Sequence, residues 1–296
     1  MRLSHKEFDV LCCMAQTNGS VTQRKLEETT RHSLSTINRV CKTLSENGLI
    51  KNGKITDEGV QALEPFRAKR AIFIAAGFGS RLVPITLNTP KPLVRVCGKR
   101  LIDTMLDACL EAGISDIYIV RGYLAEQFDQ LLYKYPMIKF IENPSYNEAN
   151  NISSAMAARF LMQDAYILES DLLVSNPKII RKYNYCSNVL GVWKDRTDDW
   201  CIIEKDGFVD EEKVGGLNCY QMYGVYYFNS SDGARLAEDI KTAYESPGGK
   251  EMYWEQVPNV MFRGKYKVEI IPGHEDDIVE IDTFRELKAI DKTYNV

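Results

Sequence analysis

A stretch rich in glycine and positive charge, residues 74–94, constrains this chain more than any other feature. It begins Ile-Ala-Ala-Gly-Phe-Gly-Ser-Arg-Leu-Val-Pro and continues to Thr-Pro-Lys-Pro-Leu, directly after an apolar run that predicts a buried strand at 71–75. Glycines let the backbone approach a polyphosphate closely enough for its N–H groups to donate hydrogen bonds. Arg81 and Lys91 add positive charge, and the prolines on either side of Lys91 stiffen the chain that carries it. The stretch therefore predicts a phosphate-binding turn after a first strand.

Beyond this turn the chain alternates apolar and amphipathic segments. The predicted strands are 71–75, 116–120, 138–142 and 165–168, and the predicted helices between them are 100–112, 124–132 and 152–160. This alternation predicts an α/β sandwich with a mainly parallel central sheet. Because ligands in such sheets bind beyond the carboxyl ends of the strands, the loops that follow strands are the candidate site.

Residues 1–66 predict a separate helical unit. Helices are expected at 6–16, ending near Asn18 and Gly19, at 23–28, and after a cap at Ser33 or Ser35. Asn52-Gly53 between short apolar runs predicts a hairpin, and a short helix follows at 57–63. This order resembles a winged helix-turn-helix domain. We therefore expect a domain at 1–66, a linker at 67–70 and a second domain at 71–296.

The charge of the two parts differs. Residues 1–66 carry nine Lys or Arg and eight Asp or Glu, whereas residues from 71 onward carry 25 basic and 33 acidic side chains. A domain that reads DNA normally has a clear basic surface. For the first part we therefore expect a regulatory, docking or structural role and no DNA binding.

The cysteines and the apolar content indicate where such a chain resides. None of the eight cysteines forms a Cys-x-x-Cys pair, and three histidines are too few to complete a zinc site. The N-terminus leads into no apolar signal core, and no run approaches the roughly 18 apolar residues of a membrane span. These features predict a cytoplasmic protein with buried, reduced cysteines.

The complete glycine-rich string, followed by Pro-Lys-Pro-Leu, resembles the signature of the sugar-phosphate nucleotidyltransferase superfamily. The resemblance implies a Rossmann-like nucleotidyltransferase sandwich whose chemistry is attack on the α-phosphate of a nucleotide. We expect Lys91 to neutralise the α-phosphate or the incoming phosphate and Arg81 to hold the β- and γ-phosphates, as the two catalytic cations. The candidate nucleotide-binding residues are Ala75, Ala76, Gly77, Gly79, Ser80, Arg81, Gly122, Tyr123, Asn151 and Ser153.

The sequence indicates less clearly which residues recognise the base than which residues bind the phosphates. The backbone at 75–77 and the Gly122-Tyr123 turn are expected near the pyrimidine and ribose. Asn150, Asn151 or Ser153 are candidates for the cytosine edge, although both asparagines fit turn and helix-cap positions equally well.

Later motifs narrow the resemblance to bacterial CTP:phosphocholine cytidylyltransferases. They occur in order around Gly122-Tyr123, Asn150-Asn151, Asp199-Trp200, Tyr253-Trp254-Glu255 and Glu280-Ile281-Asp282, and the similarity spans nearly all of 71–290. It implies transfer of CMP from CTP to phosphocholine, giving CDP-choline and pyrophosphate.

The same resemblance places an ammonium cage at Trp200 and Tyr253, with Trp254 beside them. Aromatic faces suit a quaternary ammonium, which has no N–H to donate. Asp199 or Glu255 is the candidate anionic complement. The winged-helix segment further resembles members joined to a choline kinase. Since no kinase follows residue 296, such a partner is expected on a separate chain or in a missing C-terminal part.

Three carboxylates are candidates for a Mg²⁺ site, since this ion prefers hard oxygen ligands. Asp171 follows the predicted strand at 165–168, and Glu280 and Asp282 stand two apart on a presumptive strand, so that they project to one face. The resemblance assigns metal binding to all three. Glu169, two residues before Asp171, is expected on the same face and is a candidate partner of Asp171. The alternatives are a turn or cap for Asp171, and a solvated strand edge with a helix cap for the pair.

Other acceptors and another class of function stay open. Phosphoethanolamine, 2-aminoethylphosphonate or a sugar 1-phosphate would use the same chemistry. A primary ammonium would favour more carboxylates at the cage, and a sugar would need a polar pocket. From a different class, a DNA-binding regulator that senses a nucleotide would also carry these two domains.

Overall fold

The computed structural model describes residues 3–17 and 19–295, so Asn18, at the predicted end of the first helix, lies outside the described residues. The chain folds into two compact units. The N-terminal unit runs to Arg67 and includes Tyr183–Tyr185 from much later in the chain. The second unit comprises Ala68–Lys182 and the chain from Cys186 onward.

The N-terminal unit has the predicted order of three helices, a hairpin and a short helix. Its elements are α1 (His5–Ala15), α2 (Gln23–Thr30), α3 (Leu34–Glu46), β1 (Ile50–Lys51), β2 (Lys54–Ile55) and α4 (Asp57–Leu63). Ser33, and not Ser35, caps α3, because its Oγ accepts a hydrogen bond from the Thr36 N–H. Ile50 pairs with Ile55 across the antiparallel hairpin.

The core of this unit is completed by the late segment. Phe8, Leu11 and Ile37 are buried in one cluster that also contains Tyr183. The Tyr185 ring stacks on Phe66 at a centroid distance of 5.4 Å, and its hydroxyl donates to the Leu3 carbonyl. Residues 183–185 are thus part of the N-terminal unit although more than a hundred residues separate them from Arg67.

The second unit is built on a seven-stranded sheet whose centre is parallel. Its first strands and helices are β3 (Arg70–Ile74), β4 (Arg95–Val96), β5 (Lys99–Arg100), α5 (Leu101–Glu111), β6 (Asp116–Arg121), β7 (Lys139–Glu142), α6 (Ile152–Ala158), β8 (Ala165–Glu169) and β9 (Leu172–Val174). The remaining ones are β10 (Asn188–Lys205), β11 (Phe208–Phe228), α7 (Ser230–Glu245), β12 (Glu269–Gly273), β13 (Ile278–Glu280) and α8 (Phe284–Ile290). The strand order of the main sheet is β10-β12-β11-β8-β3-β6-β7.

The strand β3 explains the parallel centre. Four of its five residues are buried, and it pairs in parallel with both β6 and β8. A continuous apolar run is typical of a strand that is covered on both faces. The loops after β3 and β8 therefore leave the same edge of the sheet, where a ligand site is expected.

Several boundaries differ from the sequence expectation. Residues 125–133 form a 3₁₀ helix, Ala125–Tyr133, where an α-helix was expected at 124–132. Within the expected linker at 67–70, Ala68 is buried, the Lys69 N–H donates to the Asp164 carbonyl and Arg70 already begins β3. The 18 and 21 residues of β10 and β11 form a long antiparallel pair that the sequence pattern did not predict.

The cysteines are free thiols, of which Cys13, Cys109, Cys201 and Cys219 are buried and Cys97 is exposed. Among the described residues, no helix has the length and apolar character needed to cross a membrane.

Candidate functional site

The glycine-rich loop after β3 has a backbone that favours glycine at one point. Gly79 has a φ of +62°, and a Cβ there would come within 2.9 Å of the Lys91 Cβ. The Thr86 hydroxyl donates to the Gly79 carbonyl at 2.8 Å, and the Tyr123 N–H donates to the Ala76 carbonyl at 3.0 Å. The loop is therefore fixed from behind by its own neighbours.

This loop opens onto a cavity of about 340 Å³, which we call the glycine-loop cavity. Eight of the ten candidate nucleotide-binding residues line it: Ala75, Ala76, Gly77, Gly79, Ser80, Arg81, Asn151 and Ser153. Lys91 and Asp171 line it as well. Backbone N–H groups and two cations along one wall suit a polyphosphate.

Gly122 and Tyr123 are not among the residues that line the cavity. Tyr123 supports the loop through its N–H and through its hydroxyl, which donates to the Thr86 carbonyl at 2.9 Å. A Cβ at Gly122 would fall 2.7 Å from atoms of Tyr146, so this glycine permits a close approach of that ring. Their observed contacts support the loop, and direct nucleotide contact from these two residues stays a prediction.

Two aromatic residues that sequence reasoning missed also line the glycine-loop cavity. Phe78 is half exposed, and its ring centroid lies 5.4 Å from that of Tyr146. Such rings offer a nucleobase an apolar surface for stacking. Phe78 occupies the variable position of Gly-x-Gly, where the sequence pattern carries no signal.

Lys91 lies between two carboxylates. Its Nζ is 2.6 Å from the Asp171 Oδ2 and 2.6 Å from the Asp282 Oδ1, and the Arg81 guanidinium lies 2.6 Å from the other Asp282 oxygen. Burial alone lowers the pKa of Lys91, but the charges of Asp171 and Asp282 outweigh burial and hold that pKa above its usual range. Lys91 is therefore a fixed, buried cation, whereas the Arg81 side chain is mostly exposed.

Asp171, Glu280 and Asp282 form an acidic cluster. One oxygen from each lies within 4.8 Å of the others, and within the described ranges the buried Asp171 Oδ1 has no hydrogen-bond partner. Burial, reinforced by the charges of Asp171 and Asp282, raises the pKa of Glu280 well above its usual value. Three hard oxygen donors, one of them unpartnered, fit a divalent cation such as Mg²⁺.

Asp282 reaches this cluster by a different route from the one expected. β13 ends at Glu280, so Asp282 lies beyond the strand in the turn that leads into α8. The Glu286 carboxylate accepts hydrogen bonds from the Asp282 and Thr283 N–H groups at 2.8 and 2.9 Å. The two carboxylates therefore come together as expected, but Asp282 lies outside the strand and the helix cap fixes its place.

A second cavity, of about 190 Å³, lies beside the first, and we call it the aromatic cavity. The Trp200 and Tyr253 rings line it edge to face, with centroids 5.5 Å apart. Carboxyl groups line it too, namely Glu169, Asp171, Asp199, Glu212, Glu255, Glu280 and Asp282. The two cavities share Arg81, Asn151, Glu169 and Asp171 in their linings.

Trp254 does not line the aromatic cavity. Its ring is fully buried and packs edge to face against Tyr226 and Phe228, and its Nε1–H donates to Glu169 at 3.3 Å. Trp254 was expected to contact a ligand head group, but its buried ring holds Glu169 instead. Tyr253, its neighbour in sequence, remains partly exposed and faces the cavity.

Asn151 connects two of the buried acids. Its Nδ2 donates to Glu169 at 3.2 Å and to Glu255 at 3.4 Å, and its Oδ1 accepts from the Trp254 N–H at 2.8 Å. Although Asn151 precedes α6, its side chain makes no capping hydrogen bond. Burial raises the pKa of Glu169 well above its usual value and that of Glu255 to about 7.

Asp199, one of the two candidate anionic partners for an ammonium group, holds Trp200 in the wall of the aromatic cavity. Its Oδ1 accepts from the Trp200 N–H at 2.7 Å, and its Oδ2 accepts from Gln221 at 3.3 Å. Glu212 was not among the candidate residues, because the Asp-Glu-Glu run in which it stands carries no sequence signal of burial. It is in fact buried and accepts a hydrogen bond from Asn259.

Comparison with known proteins shows what this arrangement is similar to. The sequence pattern of the nucleotidyl transferase family matches residues 70–190. A 2-aminoethylphosphonate cytidylyltransferase of Lancefieldella rimae is 36% identical over 228 residues, which covers 76% of this chain and 92% of that protein. A choline-phosphate cytidylyltransferase of Streptococcus pneumoniae is 30% identical over 235 residues and is covered completely. The solved structure of a CTP:phosphocholine cytidylyltransferase from Streptococcus pneumoniae matches with a TM-score of 0.71 at 28% identity, over 77% of this chain and 99% of that one.

Proposed function

The chain belongs to the nucleotidyl transferase family and has cytidylyltransferases among its relatives, and on this premise we propose that it transfers CMP from CTP to a phosphate or phosphonate acceptor that carries an ammonium group. One observation carries the proposal. A cavity suited to a nucleotide and a cavity with aromatic and acidic walls share Arg81, Asn151, Glu169 and Asp171. The shared wall is where an acceptor oxygen would meet the α-phosphate.

The reaction would take place at the wall that the two cavities share. An oxygen of the acceptor forms a bond to the α-phosphorus of CTP, the bond from that phosphorus to the oxygen bridging the α- and β-phosphates breaks, and pyrophosphate leaves. Since both reactants are anions, catalysis depends on positioning and on charge neutralisation. Lys91, held by Asp171 and Asp282, places its charge at the transferred phosphate. Arg81, which is more exposed, is suited to the departing pyrophosphate.

Asp171, Glu280 and Asp282 would hold Mg²⁺ in this proposal. The bound ion supplies neutralisation of charge on phosphate oxygens. We expect Asp171→Asn to weaken Mn²⁺ binding at least tenfold, measured by electron paramagnetic resonance of the free ion without substrate, while Asp276→Asn in an exposed loop leaves it unchanged. Equal Mn²⁺ affinity in both variants would exclude Asp171 as a ligand.

For the acceptor we favour a primary ammonium, with 2-aminoethylphosphonate first. Glu169, Glu212 and Glu255 line the aromatic cavity and are buried or nearly so. A primary ammonium carries three N–H donors for such carboxyl groups, whereas a trimethylammonium carries none. The Lancefieldella rimae relative is named for this acceptor, which supports the choice.

Phosphocholine, the acceptor expected from the sequence, is the second candidate. The edge-to-face pair of Trp200 and Tyr253 offers a quaternary ammonium the aromatic surface that it requires. The Streptococcus pneumoniae relative is named for choline phosphate. The aromatic pair serves either head group, so the acids beside it decide between the candidates.

Pyrophosphate release distinguishes these acceptors directly. The full chain is incubated with CTP, Mg²⁺ and, in separate reactions, 2-aminoethylphosphonate, phosphoethanolamine, phosphocholine or a sugar 1-phosphate. We expect kcat/KM to be highest for the two primary amines and lowest for the sugar phosphate. Comparable values for a sugar phosphate would refute the cationic acceptor, and replacement of CTP by UTP or ATP without loss would refute the cytidylyl specificity.

For the N-terminal unit we propose a winged helix-turn-helix fold in a docking role. The order of helices and hairpin supports the fold, and the near balance of nine basic and eight acidic residues over 1–66 supports docking over DNA binding. A salt-dependent gel-shift assay on the full chain tests this role. Retention of duplex DNA at 150 mM salt would contradict it. A kinase partner that makes a phosphorylated acceptor stays a prediction.

A further inference from the structure

Glu212 is a buried carboxylate that has no role in the chemical step of CMP transfer. It lies in β11 directly opposite Ile202 of β10, two residues along from Trp200. Because cross-strand partners share a face, and residues two apart on a strand do as well, Glu212 and Trp200 emerge on the same side of the sheet. Glu212 is 8% exposed and lines the aromatic cavity.

One neutral side chain holds Glu212 in place. The Asn259 Nδ2 donates to the Glu212 Oε2 at 2.7 Å and also lies 2.9 Å from the Tyr226 hydroxyl. Asn259 is itself buried, within the π-helical turn Val257–Met261, a local geometry that occurs frequently at functional sites. Across the part of the chain that the structure describes, no donor reaches the Glu212 Oε1.

The other two buried acids are already engaged. The Glu169 Oε1 accepts from both Asn151 and Trp254, and the Glu255 Oε2 accepts from Asn151. Burial raises the pKa of Glu212, and Asn259 partly offsets this rise. A cation in the cavity would further favour the ionised form. Glu212 therefore has a free acceptor oxygen beside an aromatic wall.

We propose that Glu212 determines acceptor specificity by accepting a hydrogen bond at Oε1 from an N–H of the acceptor's ammonium group. This inference rests on the proposed function, since it requires a cationic acceptor in the aromatic cavity. The Trp200 and Tyr253 rings attract primary and quaternary ammonium groups alike. Only a head group that retains an N–H can donate to Oε1, whereas a bound trimethylated one would cover this oxygen without donating to it, at a cost.

A graded acceptor series tests this role. The acceptors are 2-aminoethylphosphonate and its N-methyl, N,N-dimethyl and N,N,N-trimethyl derivatives, each assayed for pyrophosphate release from CTP. For the native chain we expect kcat/KM to fall sharply at the step that removes the last N–H. For Glu212→Gln we expect a loss of about 10- to 100-fold with the primary amine, the range of a charge-assisted hydrogen bond. The loss with the trimethyl compound should be no more than threefold, and the KM for CTP should be unchanged.

Two matched variants accompany this measurement. Glu211→Gln removes the neighbouring, exposed carboxylate and should leave the acceptor ranking as it is. Glu212→Asp keeps the charge but withdraws it by one methylene. It should weaken the same preference, which provides the test if the glutamine variant does not fold.

The outcomes separate this role from the proposed function. If the native chain discriminates among the derivatives but Glu212→Gln discriminates equally well, the specificity role of Glu212 is overturned and the proposed function stands. Equal losses with all four acceptors would assign Glu212 a structural role only. Turnover by the native chain of neutral acceptors alone would overturn the proposed function together with this inference.

Discussion

The glycine-loop cavity and the aromatic cavity are neighbours, but they are assembled in opposite ways. The first takes much of its wall from one short segment, residues 74–81, and the glycines in that wall offer backbone groups. The second is made of side chains from distant places, including Trp200 on β10, Glu212 on β11 and Tyr253 in the loop after α7. A contiguous backbone cavity specifies a reaction common to many proteins. A cavity of scattered side chains can change its ligand one residue at a time.

The largest effect expected from this comparison is at Lys91, which serves the reaction whatever the acceptor. Lys91→Ala should reduce kcat by about 100- to 1,000-fold, as does the loss of a positioned transition-state donor, and by the same factor with every acceptor. The measurement is the rate of pyrophosphate release, assayed at fixed times with each of two acceptors. Lys99→Ala, at an exposed position on β5, is the control.

A loss of less than about tenfold, which is roughly 1.4 kcal/mol of activation free energy, would contradict the role of Lys91. Because the lysine separates Asp171 and Asp282, its removal leaves two carboxylates without their cation. Thermal unfolding of both variants must therefore accompany the kinetics, so that a loss of folded protein is not mistaken for a loss of catalysis.

The next effect should be confined to one cavity. Trp200→Ala removes an aromatic face and should raise the acceptor KM about 10- to 30-fold, which corresponds to a desolvated cation–π contact of roughly 2 kcal/mol. The KM for CTP should change less than twofold. Trp193→Ala is a matched control on the same strand, since the Trp193 ring packs against Tyr220 and is not among the described residues that line the cavity. A parallel rise in both KM values would mean that the cavities do not act separately.

A backbone effect should appear in the glycine loop. Gly79→Ala places a Cβ 2.9 Å from the Lys91 Cβ at a φ of +62°, and we expect about 1–2 kcal/mol of lost stability, the cost of a left-handed conformation for a residue with a Cβ. Gly77→Ala meets no atom within 4 Å and should stay within about 0.5 kcal/mol of the native chain. Urea unfolding measures both. Similar losses of stability in the two variants would show that Gly79 is not a more constrained position than Gly77.

The smallest expected effect is the change in folding stability with pH that is caused by Glu212 in the aromatic cavity. Burial raises the pKa of Glu212 in the folded chain above that in the unfolded chain. Its contribution to stability is therefore complete below its ordinary pKa and is lost as the pH rises through the folded-state value. Since glutamine does not ionise, the stability of Glu212→Gln relative to the native chain should increase from pH 4 to pH 8. Urea unfolding at several pH values measures this difference, and a constant difference would exclude a buried, titrating Glu212.

The same contrast explains what could be predicted from the sequence. The glycine loop, the strand β3 and the serine cap of α3 follow from local rules, because each depends on residues within one turn or strand. Arg81, Lys91, Asp171 and Asp282 were all expected near the phosphate site, and the structure brings them together.

The residues that were misplaced or missed depend on long-range packing. Trp254 and Tyr253 are adjacent in sequence, yet one ring is fully buried and the other lines a cavity. Glu212 resembles any solvated acid until β10 and the Val257–Met261 turn cover it. Tyr123 matches a nucleotide-binding motif, and only the structure shows that its hydrogen bonds also support the loop. No periodicity or spacing in the sequence distinguishes these cases.

The inclusion of Tyr183–Tyr185 in the N-terminal unit has a consequence for how the chain comes to be folded during its synthesis. The ribosome completes Arg67 early, but the tyrosines that cover Phe66 and the start of α1 follow only after more than a hundred further residues. At 5–20 residues per second this delay is on the order of 6–23 s. During this interval the first part of the chain emerges without its last core residues, and its final packing must wait until most of the parallel sheet has been made.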